Sequence, residues 1–257
     1  METICINGND FALGCLDRTA AIGSVRPCLE ESIPIIAKAD WKACDNSRYL
    51  PPIGLQAKHG ACVGFQCTDA IMGQAVVQGQ QVVKLSPWDL YRMICGGRDE
   101  GASISDALKV LHDEGVCALG LCQDFTLNGT RSFQQSADAA RHKALESWDC
   151  PNRASIATAL QEGFFTPLGV QVYSNFENLE TIEGKPCIPK PAGKLRGGHC
   201  VCGCGLERID GLWRVKIATK SWGLDFGDQG CVWYALDWLS DTYADAWALR
   251  SVTVYES

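Results

Sequence analysis

The first half of the chain places apolar residues at steps of three and four, which is the spacing of amphipathic helices. This pattern predicts five helices, over residues 62–78, from Ser86 onward, and over 103–114, 134–147 and 153–162. Ser86 can cap the second helix and Pro87 suits its first turn, while Gly115 stands just past the end of the third. Residues 1–32 show no sustained period, so we expect an irregular N-terminal extension there, followed by one domain over 33–257.

The second half changes to alternation at every second position, which is the pattern of half-buried strands. The alternating residues are Val170 and Val172, then Cys200, Cys202 and Cys204, then Trp213, Val215 and Ile217. The sequence therefore predicts an α+β protein of two lobes. A mainly helical lobe is expected over about residues 55–150 and a β-rich lobe over about residues 165–257.

The composition is that of a soluble globular protein, with 46% hydrophobic and 21% charged residues among 257. The net charge of −7 and the absence of a Lys/Arg block argue against a nucleic-acid partner. The N-terminus lacks the basic and apolar regions of a signal peptide, and no stretch reaches the ~18 apolar residues that span a bilayer. We therefore expect no membrane partner and a location in the cytoplasm or in a virus particle.

Fifteen cysteines are the outlier of the composition, and such enrichment suggests either disulfides or metal. The odd number leaves at least one thiol over, which suits a cysteine nucleophile. Whether the chain forms disulfides stays open at this point. The candidate cysteines, in loop-like stretches, are Cys5, Cys15, Cys28, Cys44, Cys150 and Cys187.

The run of Cys200, Cys202 and Cys204 invites a metal interpretation. Alternate residues on a strand share a face but stand ~6.6–6.8 Å apart along it. A tetrahedral zinc ion needs sulfur atoms about 3.8 Å apart. We therefore interpret these three as buried core cysteines, and we expect no metal and no cofactor.

Cys62 is the candidate nucleophile, because it lies where a loop meets the start of a long helix. The positive end of the helix and its free N–H groups are expected to lower the thiol pKa towards a usable thiolate. Gly60 leaves room for a substrate backbone. The side-chain amide of Gln56 and the N–H of Cys62 are suited to donate to the oxyanion that forms when a thiolate attacks a carbonyl.

His199 is the candidate base among only four histidines, because it opens a predicted strand on the facing lobe. His112 and His142 fall in predicted helices, where solvent-facing roles are expected. His59 is too close in sequence to Cys62 to cross a cleft easily.

The order and spacing of these residues resemble the papain-like (C1) cysteine peptidases, whose His follows the Cys by roughly 130–150 residues. Here the separation is 137 residues. The resemblance is greatest to bacterial and phage-type members and spans about residues 33–257. Its main segments are Gln56 with Cys62, Gly101-Ala102-Ser103, Ile188-Pro189-Lys190-Pro191, Gly197-Gly198-His199, Ser221-Trp222-Gly223 and Gly227-Asp228-Gln229-Gly230. It implies a papain-like two-lobe fold, with an antiparallel β-rich C-terminal lobe and the active-site cleft between the lobes.

The resemblance also implies roles for single residues. Gln56 corresponds to the oxyanion-hole glutamine, Cys62 to the nucleophile and His199 to its imidazole partner. The segment that hydrogen-bonds the substrate backbone corresponds to Gly101 and Ala102, and we expect Gly60 and Gly198 to take part in substrate binding. Trp222 corresponds to the indole that covers the catalytic hydrogen bond from water.

Three positions depart from the pattern of the family. Val63 follows the nucleophile where Trp or Tyr is usual, and His59 replaces a cysteine of a common disulfide. Lys220 replaces the Asn that precedes Ser221 and orients the imidazole. A lysine ammonium has donors but no acceptor, and its charge would repel an imidazolium. In a second possible arrangement, the lysine side chain points away from the imidazole, and a water, a backbone carbonyl or Asp225 orients the ring.

The leading hypothesis is a cysteine peptidase that hydrolyses peptide or amide bonds through the Cys62 thiolate and the His199 base, with a peptide or protein as substrate. The alternative is a catalytically impaired relative that serves as a structural or binding component, for example in the assembly of a viral particle. Lys220, the cysteine excess and an extension shorter than the long inhibitory propeptides of many family members favour the alternative.

Overall fold

The computed structural model describes residues 1–16, 27–51, 54–127, 129–239 and 245–254. These residues form six α-helices: α1 (Leu29–Ser32), α2 (Cys62–Val77), α3 (Pro87–Ile94), α4 (Ile104–Asp113), α5 (Phe133–Ala139) and α6 (Arg153–Gln161). Helices α2, α3, α4 and α6 lie where the periodicity predicts them. Of the helices in these ranges, none is both long and apolar enough to span a bilayer.

The helix ends are set by the residues that the sequence suggests. Ser86 Oγ accepts a hydrogen bond from the backbone N of Asp89 over 3.0 Å at the start of α3. Ser103 Oγ does the same for Asp106 over 3.2 Å at the start of α4. Gly115 follows α4 with a φ of +80°, a left-handed conformation that favours glycine. The predicted Ser86 cap and the predicted position of Gly115 past the end of α4 are confirmed.

The described residues also form eleven strands: β1 (Thr3–Ile6), β2 (Asn9–Ala12), β3 (Cys44–Asp45), β4 (His142–Asp149), β5 (Thr166–Tyr173), β6 (Glu180–Ile182), β7 (Lys185–Cys187), β8 (Leu195–Ile209), β9 (Leu212–Ala218), β10 (Cys231–Ala235) and β11 (Trp247–Val254). Seven of them form the largest sheet, in the order β3-β8-β9-β10-β7-β6, with β5 also paired to β8. Its neighbours are antiparallel except β7 and β10. The predicted strands lie in β5, β8 and β9, and the predicted mixed two-lobe architecture is confirmed.

The helix predicted over residues 134–147 is wrong in its second half. Helix α5 ends at Ala139, and β4 begins at His142 and pairs antiparallel with β11. The sequence of β4 contains good helix formers, but pairing with β11 buries Ala144 and Trp148, and this tertiary gain outweighs local propensity. His142, expected on a helix and facing solvent, is therefore buried on a strand.

The N-terminal residues are more ordered than the irregular extension that we expect from the sequence. Strands β1 and β2 form a hairpin in which Ile4 pairs with Phe11. Its turn contains Asn7 and Gly8 with φ of 50° and 81°, and an Asn-Gly pair is a strong hairpin signal. Ile4, Ile6 and Phe11 are buried in the core of the β lobe. The hairpin therefore anchors the residues that follow it, which lie beside the cleft.

Helix α2 forms the centre of the molecule and is buried on every face. Residues 62–75 are all buried, and the helix packs against α3, β8 and β11. A helix that is buried all round belongs to the interior and not to the surface. This position points the N-terminus of α2, at Cys62, towards the β lobe.

Three of the six disulfide candidates, Cys5, Cys44 and Cys187, are free thiols. Cys200, Cys202 and Cys204 are buried in the core around α2, as expected for core residues. Within the ranges that the structure describes, no three His, Cys, Asp or Glu side chains are grouped so that they could hold a metal ion.

Asp89 on α3 is a buried carboxylate that links several parts of the helical lobe. It accepts hydrogen bonds from Arg131 Nη2 over 2.8 Å, from Arg92 Nη2 over 2.8 Å and from the backbone N of Cys117 over 2.9 Å. Burial opposes ionisation, but these hydrogen bonds outweigh it and hold the pKa of Asp89 below its ordinary value.

Replacing Asp89 by Asn is expected to lower the free energy of unfolding by about 3–5 kcal/mol, because two buried guanidinium groups lose a hydrogen-bonded carboxylate. The pKa of Asp89 is lowered in the folded state, so the carboxylate stabilises fully above an unfolded pKa of about 4. The difference between the two proteins should shrink as the pH falls below that value, and urea unfolding at pH 7 and pH 3 measures it. Asp113→Asn, an exposed carboxylate paired with Lys109, is the control and should change stability much less. Equal stability of Asp89→Asn and the native protein at pH 7 would contradict this role.

Candidate active site

The thiol of Cys62 lies between the two lobes. Cys62 is the first residue of α2, and Ala61 immediately precedes the helix. Its Sγ accepts a hydrogen bond from the backbone N of Cys200 on β8 over 3.5 Å. The thiol therefore contacts the residue that follows His199, so the predicted nucleophile and the predicted base lie in the same part of the cleft.

Burial determines the ionisation of the Cys62 thiol. Cys62 has no exposed surface, and its burial, together with the nearby thiol of Cys15, raises the pKa of Cys62 to about 12. The backbone N–H groups of Cys200, Gly14 and Val63 favour the thiolate, but their effect is smaller. The expectation of a lowered pKa at the helix start is therefore wrong for this conformation, because a thiolate here would have no contact with water.

The imidazole of His199 is held on one edge and on one face. Its Nε2 lies 2.9 Å from Oγ1 of Thr219, and its ring is stacked on the indole of Trp222 with centroids 4.1 Å apart. Its Nδ1 is buried and has no hydrogen-bond partner among the residues that the structure describes. Burial lowers the pKa of His199 to about 3, so the ring is neutral at pH 7. With Nε2 bonded to Thr219, Nδ1 is the ring nitrogen that can still form a further hydrogen bond.

Thr219 forms the hydrogen bond to the imidazole that, in the family pattern, an Asn at position 220 forms. When Nε2 carries the proton, it donates a hydrogen bond to the Thr219 hydroxyl oxygen. A hydroxyl oxygen can accept this bond because it has two lone pairs. The backbone N of Thr219 donates to the carbonyl of Gly230, and its own carbonyl accepts from the backbone N of Trp222, both over 2.9 Å. The turn that follows β9 thus fixes Thr219 and Trp222 against the same imidazole.

Lys220 is buried but points away from the imidazole. Its Nζ donates to the carbonyl oxygen of Leu50 over 2.5 Å. Its charge lies near Asp69, whose pKa is raised to about 7 by burial, an effect that Lys220 only partly offsets. The lowered pKa of His199 results from burial alone, with no contribution from Lys220. The structure therefore has the second predicted arrangement, in which the lysine turns away, but the residue that contacts the ring is Thr219 and not Asp225.

Gln56 is buried, and both ends of its side-chain amide are hydrogen-bonded. Its Nε2 donates to the carbonyl oxygens of Ala12 over 2.9 Å and of His59 over 3.2 Å. Its Oε1 accepts a hydrogen bond from Ser221 Oγ over 2.8 Å, which fixes the orientation of the amide. The predicted oxyanion donor is thus already bonded to a carbonyl of the chain itself.

Residues 12–16, called the strap below, lie in the cleft between the lobes. On the helical side, Ala102 N donates to Gly14 O, and Leu16 N donates to Ala102 O, both over 2.9 Å. On the β side, Cys15 N donates to Gly198 O over 3.0 Å. The strap pairs with a predicted substrate-binding residue from each lobe, as an added extended peptide does.

Glycines allow the strap to approach the helical lobe this closely. A Cβ on Gly14 would lie 2.3 Å from the carbonyl oxygen of Gly60, and a Cβ on Gly101 would lie 2.3 Å from the carbonyl oxygen of Gly14. Gly101 also has a φ of +99°, where other residues are strained. No side chain larger than hydrogen fits at Gly14 while the strap stays in place.

The structure brings most of the predicted site residues together around the strap, namely Cys62, His199, Gln56, Gly60, Gly101, Ala102, Gly198 and Trp222. Lys220 is the exception. The contact of Thr219 with the imidazole was not predicted from the sequence, although a hydroxyl directly before position 220 could have indicated it. The strap was not predicted either, because no periodic pattern marks an irregular segment that pairs with two distant parts of the chain.

No protein-family model matches the chain. Its fold is similar to solved cysteine proteases. Xylellain, a cysteine protease from Xylella fastidiosa, aligns with a TM-score of 0.76 at 21% identity over 95% of this chain and 96% of that chain. The proCathepsin B S9 of Trypanosoma congolense aligns with a TM-score of 0.70 at 14% identity over 95% and 87%. Bromelain from Ananas comosus, in complex with the E64 inhibitor, aligns with a TM-score of 0.63 at 17% identity over 83% and 99%.

These similarities show that the chain has the papain-like two-lobe fold. The resemblance to papain-like cysteine peptidases, including bacterial ones such as xylellain, is confirmed at the level of the fold. The roles of the individual site residues rest on the geometry described above.

Thr219→Val is expected to remove the hydrogen bond to His199 Nε2 at nearly constant side-chain volume. In nitrogen–proton NMR spectra of the histidine rings, the native protein should show a slowly exchanging Nε2 proton on His199, and this signal should be lost in Thr219→Val. Lys220→Asn should keep the signal, because Lys220 contacts Leu50 and not the imidazole. Loss of the signal in Lys220→Asn and its retention in Thr219→Val would show that position 220 orients the ring.

Proposed function

We propose that this chain is a papain-like cysteine peptidase or amidase in a latent form, with the strap occupying its cleft. The observation that carries the proposal is the held imidazole, with Thr219 on Nε2 and Trp222 on its face, beside a cysteine at the start of a buried helix. The papain-like fold supports a peptidase role at the level of the family. Peptides or proteins are the proposed substrates.

In the proposed reaction, Cys62 transfers its proton to Nδ1 of His199 and attacks the scissile carbonyl carbon as a thiolate. The carbonyl oxygen becomes an oxyanion, to which Gln56 Nε2 and the Cys62 N–H donate hydrogen bonds. His199 then protonates the leaving amine, the C–N bond breaks and a thioester remains. His199 next takes a proton from water, and the hydroxide attacks the thioester carbon. The C–S bond breaks, the acid leaves, and the proton on His199 returns to the sulfur of Cys62.

Thr219 acts throughout this sequence by holding the ring. Its hydroxyl accepts from Nε2–H in both the neutral and the cationic state of His199, so the ring does not turn when Nδ1 gains a proton. A neutral acceptor supports the imidazolium less than a carboxylate would, but it keeps Nδ1 directed into the cleft. Lys220 is proposed to have no part in the chemistry and to serve the core, through its bond to Leu50.

The strap has to leave before a substrate enters, because it occupies Gln56, Ala102 and Gly198. Its departure would also bring water to Cys62 and His199. Since burial is what raises the pKa of the thiol and lowers that of the imidazole, hydration would move both values towards those of a thiolate–imidazolium pair. Opening the cleft and activating the nucleophile are therefore one event in this proposal.

The alternative is a pseudo-enzyme that uses the same fold as a structural or binding component, for example of a viral particle. A buried, neutral thiol and imidazole under a permanent strap suit that alternative. The two functions differ in one respect: only the peptidase has a reactive Cys62 once the cleft is open.

Gly14→Ala is expected to open the cleft, because the added methyl group would meet the Gly60 carbonyl at 2.3 Å. The overpacking should destabilise the strap in the cleft by about 1–3 kcal/mol. This change corresponds to roughly 5–150-fold faster labelling of Cys62 by the epoxysuccinyl inhibitor E64. Mass spectrometry after proteolysis locates the label. Gly120→Ala is the matched control, because a Cβ there meets nothing within 4 Å.

Labelling confined to Cys62, and lost in His199→Ala, would support the peptidase. If Cys62 stays unlabelled in Gly14→Ala while circular dichroism shows a folded protein, the pseudo-enzyme is the correct function. Equally fast labelling of the native protein and Gly14→Ala would still support Cys62 as the nucleophile, but it would contradict the latent form.

Hydrolysis of peptide substrates by the opened Gly14→Ala protein should depend on Thr219 and not on Lys220. Thr219→Val is expected to lower kcat/KM by about 10–100-fold, because an unoriented base loses part of the 10²–10⁴-fold contribution of general acid–base catalysis. Lys220→Asn should stay within a fewfold of the parent. Thr68→Val, whose buried hydroxyl bonds only to Gly64 and Phe65 within α2, is the control. Hydrolysis that appears only in Lys220→Asn would show instead that Lys220 silences the site.

A further inference from the structure

A hydrogen-bonded cluster of His59, Asp99 and Tyr91 lies at the edge of the cleft, outside the catalytic centre. His59 Nδ1 is 2.6 Å from Asp99 Oδ2, and Tyr91 donates its hydroxyl proton to Asp99 Oδ1 over 2.7 Å. The three residues come from the loop before α2, the loop before α4 and the middle of α3. The family pattern has a disulfide cysteine at the position of His59, so a hydrogen-bonded His–Asp contact stands where that pattern has one end of a covalent link.

The cluster is bonded directly to the backbone of both cleft segments of the helical lobe. The N–H of Gly60 donates to Asp99 Oδ1 over 2.9 Å. The N–H of Gly101 donates to the hydroxyl oxygen of Tyr91 over 3.2 Å. One carboxylate and one phenol thus fix the two glycines relative to each other, and these segments are so close that a Cβ on Gly60 would lie 2.8 Å from Gly101 N.

The surroundings of the cluster favour a fixed arrangement. The His59 ring packs edge-on against Trp88 and Phe125, with centroids 5.5 Å and 4.9 Å away. Burial raises the pKa of Asp99, but hydrogen bonds from Tyr91, His59 and Gly60 outweigh it, so the net pKa is lowered and the carboxylate is ionised. Burial and the neighbouring Asp99 raise the pKa of Tyr91, which keeps the phenol protonated and able to donate.

We propose that His59, Asp99 and Tyr91 form a positioning clamp, which holds the two backbone segments of the helical lobe at the spacing that substrate binding needs. The clamp lies next to the groups that would contact an extended peptide. Ala102, directly after Gly101, already pairs with the strap through both its N–H and its carbonyl. The carbonyl of His59 accepts from Gln56 Nε2, so the clamp also reaches the oxyanion donor. Its catalytic consequence rests on the proposed peptidase function, whereas its effect on the backbone does not.

The first test is independent of activity. Amide hydrogen exchange, followed by mass spectrometry of peptides that cover residues 59–62 and 99–102, reports whether the clamp holds these segments. Tyr91→Phe removes one oxygen without changing the shape of a buried ring, and His59→Ala removes the contact between His59 and Asp99. Each variant should raise exchange in both peptides by about tenfold or more, which corresponds to a loss of about 1.4 kcal/mol of local stability.

Matched controls separate the clamp from general loosening. Tyr234→Phe alters another buried tyrosine, and His112→Ala breaks a His–Asp contact of 2.8 Å on the surface of α4. Both should leave exchange in the two peptides unchanged. His59→Asn places an amide nitrogen near the position of Nδ1 and should restore protection. Unchanged exchange in Tyr91→Phe and His59→Ala would overturn the clamp.

The second test measures hydrolysis in the opened Gly14→Ala protein. Loss of the clamp should raise KM for a peptide by about tenfold with kcat within about twofold, because the clamp places binding groups and not the reacting atoms. The rate of Cys62 alkylation by iodoacetamide, which makes no contact with the backbone segments, should not change. An unaltered KM despite faster exchange would overturn the positioning role. If the opened parent itself hydrolyses nothing, the proposed function fails and the exchange data alone decide on the clamp.

Discussion

The backbone pairing of the strap with both lobes is the interaction on which the rest of the site depends. Gly14 fits against Gly60 and Gly101 only because none of the three has a side chain. The strap carbonyls and amides satisfy Ala102, Gly198 and Gln56, groups that a buried cleft without water would otherwise leave without partners. The strap is therefore held in the cleft by polar groups of both lobes.

This pairing also keeps Cys62 and His199 buried, and their burial decides their ionisation. A helix start favours a thiolate modestly, whereas complete burial disfavours any charge by much more. In the closed state burial dominates for both Cys62 and His199, and both are neutral at pH 7. A thiolate–imidazolium pair is the charged state that burial suppresses most, so the occupied cleft and the neutral Cys62 and His199 have one physical cause.

Two departures from the family pattern are accommodated by nearby residues. At position 220 an acceptor is replaced by a cation, but the Thr219 hydroxyl reaches Nε2 and the lysine bonds to Leu50 in the core. At position 59 a cysteine is replaced by His59, which contacts Asp99. In both cases the chemistry of the substituted residue taken alone suggested a defect. The outcome depended on which neighbour was within hydrogen-bond distance, and sequence position does not specify that.

The sequence by itself determined the features that depend on local order. Apolar periodicity located α2, α3, α4 and α6 and the strands β5, β8 and β9, because this signal lies within one element. Spacing along the chain made Cys62 and His199 the candidate nucleophile and base. Only the tertiary structure decided the rest. Pairing with β11 turned residues 142–149 into a strand, Thr219 met His199 across 20 residues, and the strap joined Ala102 to Gly198. Each of these depends on hydrogen bonds between residues that are far apart in the chain, and no local pattern encodes such a contact.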